Sequence, residues 1–143
     1  MGVVLDTTIF IDLERGRHRR GAAGTAIGQA LAARLELAEE AGIATITASE
    51  LLHGVHRASE EHRGRREAFV EAVLSIVPVL SFDLLAARAH ARLWAGLVAA
   101  GSDVGAHDRL VAATALSLGW RVATANVGHF DRIPGLEVVE VRA

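Results

Sequence analysis

Gly2-Val3-Val4-Leu5-Asp6-Thr7-Thr8 decides how the rest of this 143-residue chain is read. Val3, Val4 and Leu5 form an apolar run without polar alternation, the pattern of a strand buried on both faces. An unpaired charge is costly inside such a strand. Asp6 is therefore expected just past the strand's carboxyl end. In open α/β sheets, ligands bind in the crevice outside that edge. Thr7 or Thr8 then opens a helix through Ile9, Phe10, Ile11 and Leu13. Asp and Thr are also good N-caps, so this stretch taken alone suits a capping Asp6 as well as a site carboxylate.

Outward from that strand, residues 15–21 read as a polar connection whose glycines do not form a phosphate-binding fingerprint. A long helix is expected over 24–40, ended by Gly42. Residues 43–46 read as a second strand. Thr47 or Ser49 then starts a helix that carries Glu50 in its first turn and runs to about Arg57. The densely charged 58–66 segment reads as a helix–helix connection, and 67–74 as an amphipathic helix. Residues 75–80 read as extended, with Pro78 confining them to a sheet edge or a loop beside one. Helices follow over 83–100 and 104–118, the second stopped by Gly119. Strands are expected over 120–124 and 137–141, with a loop over 129–136 between them. Strands alternating with helices predict α/β architecture: one domain over 1–143, with a mainly parallel central sheet and helices on both faces.

Composition narrows the function classes. Hydrophobic residues make up 51% of the chain and mean hydropathy is +0.31, well clear of disorder. No apolar run approaches a membrane span, and the N-terminus lacks signal-peptide features. A cytoplasmic protein with no membrane partner is expected. The absence of cysteine removes disulfides, thiolate metal sites and cysteine nucleophiles. Net charge is −2, so no global charge announces a nucleic-acid binder. All 15 basic residues, however, are arginine. Two clusters, Arg15, Arg17, Arg19 and Arg20, then Arg57, Arg63, Arg65 and Arg66, suit either phosphate or a solvated helix end.

The chemistry-bearing residues are few. Asp6 follows the first strand, Glu50 the second, and Asn126 and Asp131 the strand ending at Thr124. Asp108 opens an otherwise apolar helix, whose N-terminus is expected to pack at the same sheet edge. Carboxylates sharing a pocket repel unless protonated or bound to a cation. Oxygen-only donors suit a hard cation, magnesium or manganese, and such a site can hydrolyse a phosphodiester. Each residue also has a plainer reading: Glu50 and Asp108 as first-turn acids favoured by the helix dipole, Asp131 as part of a turn with Pro134-Gly135. His53 and His56 lie three apart on one helix, near His62, yet without the H-E-x-x-H pattern that would argue for zinc. His107 and His129 stand beside the acidic positions with their roles open. Trp94 and Trp120 suit core or interface better than base stacking.

The chain resembles PIN-domain ribonucleases of the VapC toxin type over nearly its whole length. The resemblance is carried by Leu5-Asp6-Thr7-Thr8 before an apolar helix, by Thr47-Ala48-Ser49-Glu50-Leu51 with Gly54, by Gly105-Ala106-His107-Asp108 before Ala112-Ala113-Thr114-Ala115, and by Val122-Ala123-Thr124-Ala125-Asn126-Val127-Gly128-His129-Phe130. It implies a magnesium- or manganese-dependent endoribonuclease, the toxin of a type II toxin–antitoxin pair. Asp6, Glu50 and Asp108 would form the acidic metal site, with Asp6 and Asp108 as direct ligands. Glu50 would bind metal directly, bind it through water, or act on the attacking water. Thr7 and Thr124 would be supporting hydroxyls. Asn126 stands where many PIN domains place a fourth acid, which leaves a second metal open. The resemblance also implies RNA as substrate, a homodimer, and a VapB-type antitoxin whose C-terminal segment fills an apolar groove, with operator DNA reached only through that complex. Ile9, Phe10, Leu13, Leu51, Leu52 and Val55 are groove-wall or core candidates. Two other classes compete. A catalytically weak RNA- or partner-binding module is motivated by Asn126. An aspartyl-nucleophile phosphatase would need a second Asp where Thr8 stands. No residue announces which RNA is cut.

Overall fold

The computed structural model describes residues 2–20 and 40–141. Among these residues, five strands form one parallel sheet in the order β3-β2-β1-β4-β5. They are β1 (Gly2–Leu5), β2 (Glu40–Ala44), β3 (Val79–Leu80), β4 (Arg121–Thr124) and β5 (Val138–Glu140). β1 is central and all four of its residues are buried, as the unbroken apolar run requires.

Alternate residues point to opposite faces. Val3, Leu5 and Ile43 pack into one core with α1 (Thr7–Arg20), α2 (Thr45–Arg57) and α3 (Glu60–Ile76). Val4, Ala44 and Val122 pack into the other with α4 (Leu84–Ala99), α5 (Ala106–Leu118) and Phe130. Ile9, Phe10, Leu13, Leu51 and Val55 belong to the first core and not to a groove; Leu52 alone of that set is exposed. Trp120 packs its ring on Gly2, where a Cβ would overlap it. Gly119 ends α5 in the left-handed conformation at φ 68° that favours glycine.

Several boundaries differ from the sequence expectation. The 24–40 helix lies outside the described residues apart from Glu40, which begins β2. α1 continues through Gly16 to Arg20 where a connection was expected, since its arginines are good helix formers. α2 starts at Thr45, not at Thr47 or Ser49, directly after the last β2 residue. Thr45 Oγ1 donates to the Leu80 carbonyl at 2.9 Å, tying the helix start to the edge strand. Glu50 therefore lies in the second turn. The charged 58–66 segment is mostly helix: α3 begins after Ser59, with Glu60 and Glu61 favoured at the positive end of the helix dipole. Pro78 does mark the sheet edge, but the strand after it is only two residues long, and residues 75 and 76 belong to α3.

Candidate active site

β1 and β2 each run straight into a helix at the carboxyl edge of the sheet, and the start of α5 packs against them. Asp6 stands between β1 and α1. Its N–H donates to the Ala123 carbonyl at 2.9 Å, extending the β1–β4 pairing by one residue. The side chain is only 4% exposed. Its carboxylate is held by hydroxyls and does not cap the helix. Thr8 Oγ1 donates to Asp6 Oδ2 at 2.8 Å, and Thr124 Oγ1 donates to the same oxygen at 2.9 Å. The two hydroxyls are 3.2 Å apart. Each also accepts a backbone N–H: Ala125 donates to Thr8 and Asn126 to Thr124, both at 3.0 Å. Both hydroxyl protons are thus aimed at the carboxylate.

Two further carboxylates meet Asp6 at this edge. Glu50 Oε1 accepts from Thr7 Oγ1 at 2.9 Å, and its Oε2 lies 3.4 Å from His107 Nδ1. Asp108, in the first turn of α5, has Oδ2 at 3.6 Å from His129 Nδ1. His129 Nε2 in turn lies 3.0 Å from Asn126 Nδ2. An amide nitrogen only donates, so this contact needs Nε2 as acceptor and leaves the ring proton on Nδ1, toward Asp108. Burial raises the Asp108 carboxyl above its usual range. The charges of Asp6 and Glu50 raise it further, while His129 and His107 oppose the rise. Mutual repulsion of this kind marks carboxylates that share one electrostatic site.

Asp6, Glu50 and Asp108 are therefore brought together, and Asn126 joins their rim through His129. Asp131 is exposed, with no contact to these acids among the described residues. His53 and His56 are exposed, and His62 pairs with Arg65. In the second arginine cluster, Arg66 pairs with Glu14 at 3.2 Å and Arg63 donates to the Ala58 carbonyl, contacts that hold helices rather than phosphate. Thr8, and not Thr7, bonds to Asp6, a short-range Asp-x-Thr contact that the spacing offers as a signal. The histidine pairings depend on how α2, α5 and the 127–129 turn meet, which no local pattern encodes.

Among the described residues, no group of three or more His, Asp and Glu side chains is arranged to hold a metal ion outright. The donor set nonetheless fits one kind of cation. It is all oxygen, it is mutually repelling, and both hydroxyl bonds to Asp6 fall on Oδ2. Magnesium characteristically keeps several waters and takes only one or two carboxylates together with substrate phosphate.

Comparison with known proteins adds to the geometry. The profile of the PIN domain family matches residues 3–136. Ribonuclease VapC1 of Rickettsia felis is 37% identical over 142 residues, which cover 99% of this chain and 97% of that protein. The tRNA(fMet)-specific endonuclease VapC of Salmonella typhimurium is 35% identical over 96 residues, 67% of this chain and 71% of the relative. A crystal structure of DNA-bound VapBC from Salmonella typhimurium superimposes with a TM-score of 0.78 at 28% identity, covering 98% of each chain.

Proposed function

The chain belongs to the PIN-domain family, within its VapC branch, and from that premise we propose that it is a divalent-metal-dependent endoribonuclease, the toxin of a type II toxin–antitoxin pair. The observation that carries this proposal is the carboxylate triad Asp6, Glu50 and Asp108 gathered at one sheet edge, where burial first, and then the charges of Asp6 and Glu50, raise the Asp108 carboxyl. Asp6 and Asp108 are the residues to hold magnesium or manganese, with Glu50 reaching the cation directly or through water. When bound, the cation supplies positive charge at the scissile phosphate and makes water there more acidic.

The chain's own groups divide the remaining work. Thr8 and Thr124 fix the Asp6 carboxylate in one orientation. Glu50, held by Thr7, is the group to take a proton from the attacking water. His129 holds Asp108 from one side, and His107 holds Glu50 from the other. Asn126 orients His129 and adds no negative charge. The product is RNA hydrolysed at a phosphodiester bond.

The partners proposed with this activity are an RNA substrate, a second copy of the chain in a homodimer, and a VapB-type antitoxin through which operator DNA is reached. A single PIN domain over 1–143 working in the cytoplasm completes the proposal. Among the described residues no helix is long and apolar enough to cross a membrane.

Two features favour a second reading, an RNA- or partner-binding module that cuts weakly: the uncharged Asn126, and a triad not closed into a preformed cage. One assay separates them. Purified protein is incubated with total RNA in magnesium, manganese or EDTA, beside Asp6→Asn, and fragment ends are mapped. Discrete metal-dependent cuts that vanish in the variant are expected. RNA binding that survives in Asp6→Asn, with no cleavage by the unmodified protein, would establish the binding module instead.

A further inference from the structure

We propose that the cavity between α2 and α5 is a nucleobase subsite, receiving a base of the RNA beside the scissile phosphate; this rests on the nuclease function proposed above. The cavity has a volume of ≈ 280 Å³, and Ile46, Ser49, Phe82, Leu110 and Thr114 are among its walls. Pockets for larger ligands begin at about 300 Å³, so this one suits a single planar ring system.

Its walls belong to the helices that carry the acids. Ser49 directly precedes Glu50 on α2. On α5, His107, Leu110 and Thr114 are spaced i, i+3 and i+7 and so share a face. His107 is the residue that meets Glu50, so the cavity lies one helical turn from that pair. A nucleotide whose phosphate sits at the carboxylates has this cavity beside it.

The surface around the cavity has the chemistry of a base-stacking track. Phe82 is 39% exposed. Its ring meets His90 edge-on at 6.1 Å, His90 meets Trp94 at 5.6 Å, and the Arg109 guanidinium lies 5.1 Å over Trp94. Trp94 is 50% exposed, and Arg109 directly follows Asp108. Rings and a guanidinium thus run from the cavity back to the acidic helix. Single-stranded RNA is taken up by aromatic and arginine stacking with a positive neighbour for the backbone. A second protein copy is the competing occupant, because Leu84, Leu85 and Val98 of α4 are exposed as well. The concavity beside the carboxylates favours a nucleotide.

The test uses a short single-stranded oligoribonucleotide carrying one 2-aminopurine, whose fluorescence falls when the base stacks. It is titrated into the full chain in calcium in place of magnesium, so that divalent charge is kept at the carboxylates, and the probe is checked for intact length after each titration. Unmodified protein is expected to quench the probe saturably. Phe82→Ala should weaken binding by roughly tenfold, and Phe82→Trp should retain it, with melting temperatures unchanged. Equal affinity in Phe82→Ala, or no quenching by the unmodified protein, overturns the subsite. A shift from dimer to monomer in Phe82→Ala with probe affinity unchanged overturns it too and assigns the face to a second copy. Cleavage of total RNA by the same proteins keeps the two ideas apart. Quenching without any cleavage removes the nuclease and leaves the subsite. Cleavage with Phe82→Ala matching the unmodified protein in rate, pattern and quenching leaves the nuclease and removes the subsite.

Discussion

The inner and outer halves of the acidic site are built differently. Asp6 is buried, and its carboxylate is held by two hydroxyls that are themselves pinned by backbone N–H groups. Glu50 and Asp108 are half-exposed, and each faces a histidine across 3.4–3.6 Å, beyond good hydrogen-bond length. The inner half is architecture, fixed by folding. The outer half has fewer ties, one bond from Thr7 to Glu50 and the two long histidine contacts, so that a cation, a substrate phosphate or a partner's basic side chain can still change the geometry. Preorganising one anchor while leaving its neighbours adjustable suits a site that must admit a charged polymer.

The difference can be broken most severely at its anchor. Asp6→Asn keeps the hydrogen-bonding shape but removes the charge, and should lower metal-dependent cleavage by about 10³-fold. Near-native urea stability in the same variant is expected, and a collapse of stability would show that the charge itself holds the fold. Thr124→Val comes next. It deprives Asp6 and the Asn126 N–H of one partner. It should cost about 1–3 kcal/mol of stability and about 10–100-fold in activity. A loss of activity with no loss of stability would mean that the inner half is as adjustable as the outer.

His129→Ala should reduce cleavage by about tenfold, at the low end for partners of a metal ligand, the role proposed for Asp108, and leave denaturant midpoints in place. An effect as large as that of Thr124→Val would erase the distinction between the two halves. The smallest expected effect is on stability alone. The Asp108 carboxyl is pushed above its ordinary range by burial and by Asp6 and Glu50. The folded chain therefore disfavours its ionised form. That penalty is present above the unfolded pKa, fully so above the folded one, and fades as pH falls to the unfolded value, about 3.9. Asp108→Asn should therefore melt slightly higher than the unmodified protein at neutral pH without metal. The gain should vanish in acid and shrink when magnesium is added. Equal melting at neutral pH would refute the mutual repulsion.

Much of this was legible in the sequence, for reasons that differ by residue. Val3-Val4-Leu5 reads as a doubly buried strand, and a charge directly after it belongs just past the strand's end, so elementary cost locates Asp6 while leaving open whether it caps or serves a site. Glu50 was placed near the second strand although its helix begins earlier than expected. The cue was missed because Ala44, at the N-cap position, offers no capping side chain. The dense charge of the 58–66 run reads as a connection, yet its Glu and Arg residues are good helix formers and most of it is helix. Ile9, Phe10 and Leu13, open in the sequence between groove wall and core, are core, since apolar periodicity reports burial without saying what covers the surface. His107 and His129 acquire their partners only when distant segments cross, and one-dimensional patterns carry no such information.

Asp6 and Thr124 meet across 118 positions of sequence. β1 is synthesised well before the β4 strand it pairs with. The anchor carboxylate therefore has no complete shell until β4 has emerged. A nascent chain cannot assemble the acidic site before that point, so the order of synthesis itself separates making β1 from completing the site it anchors.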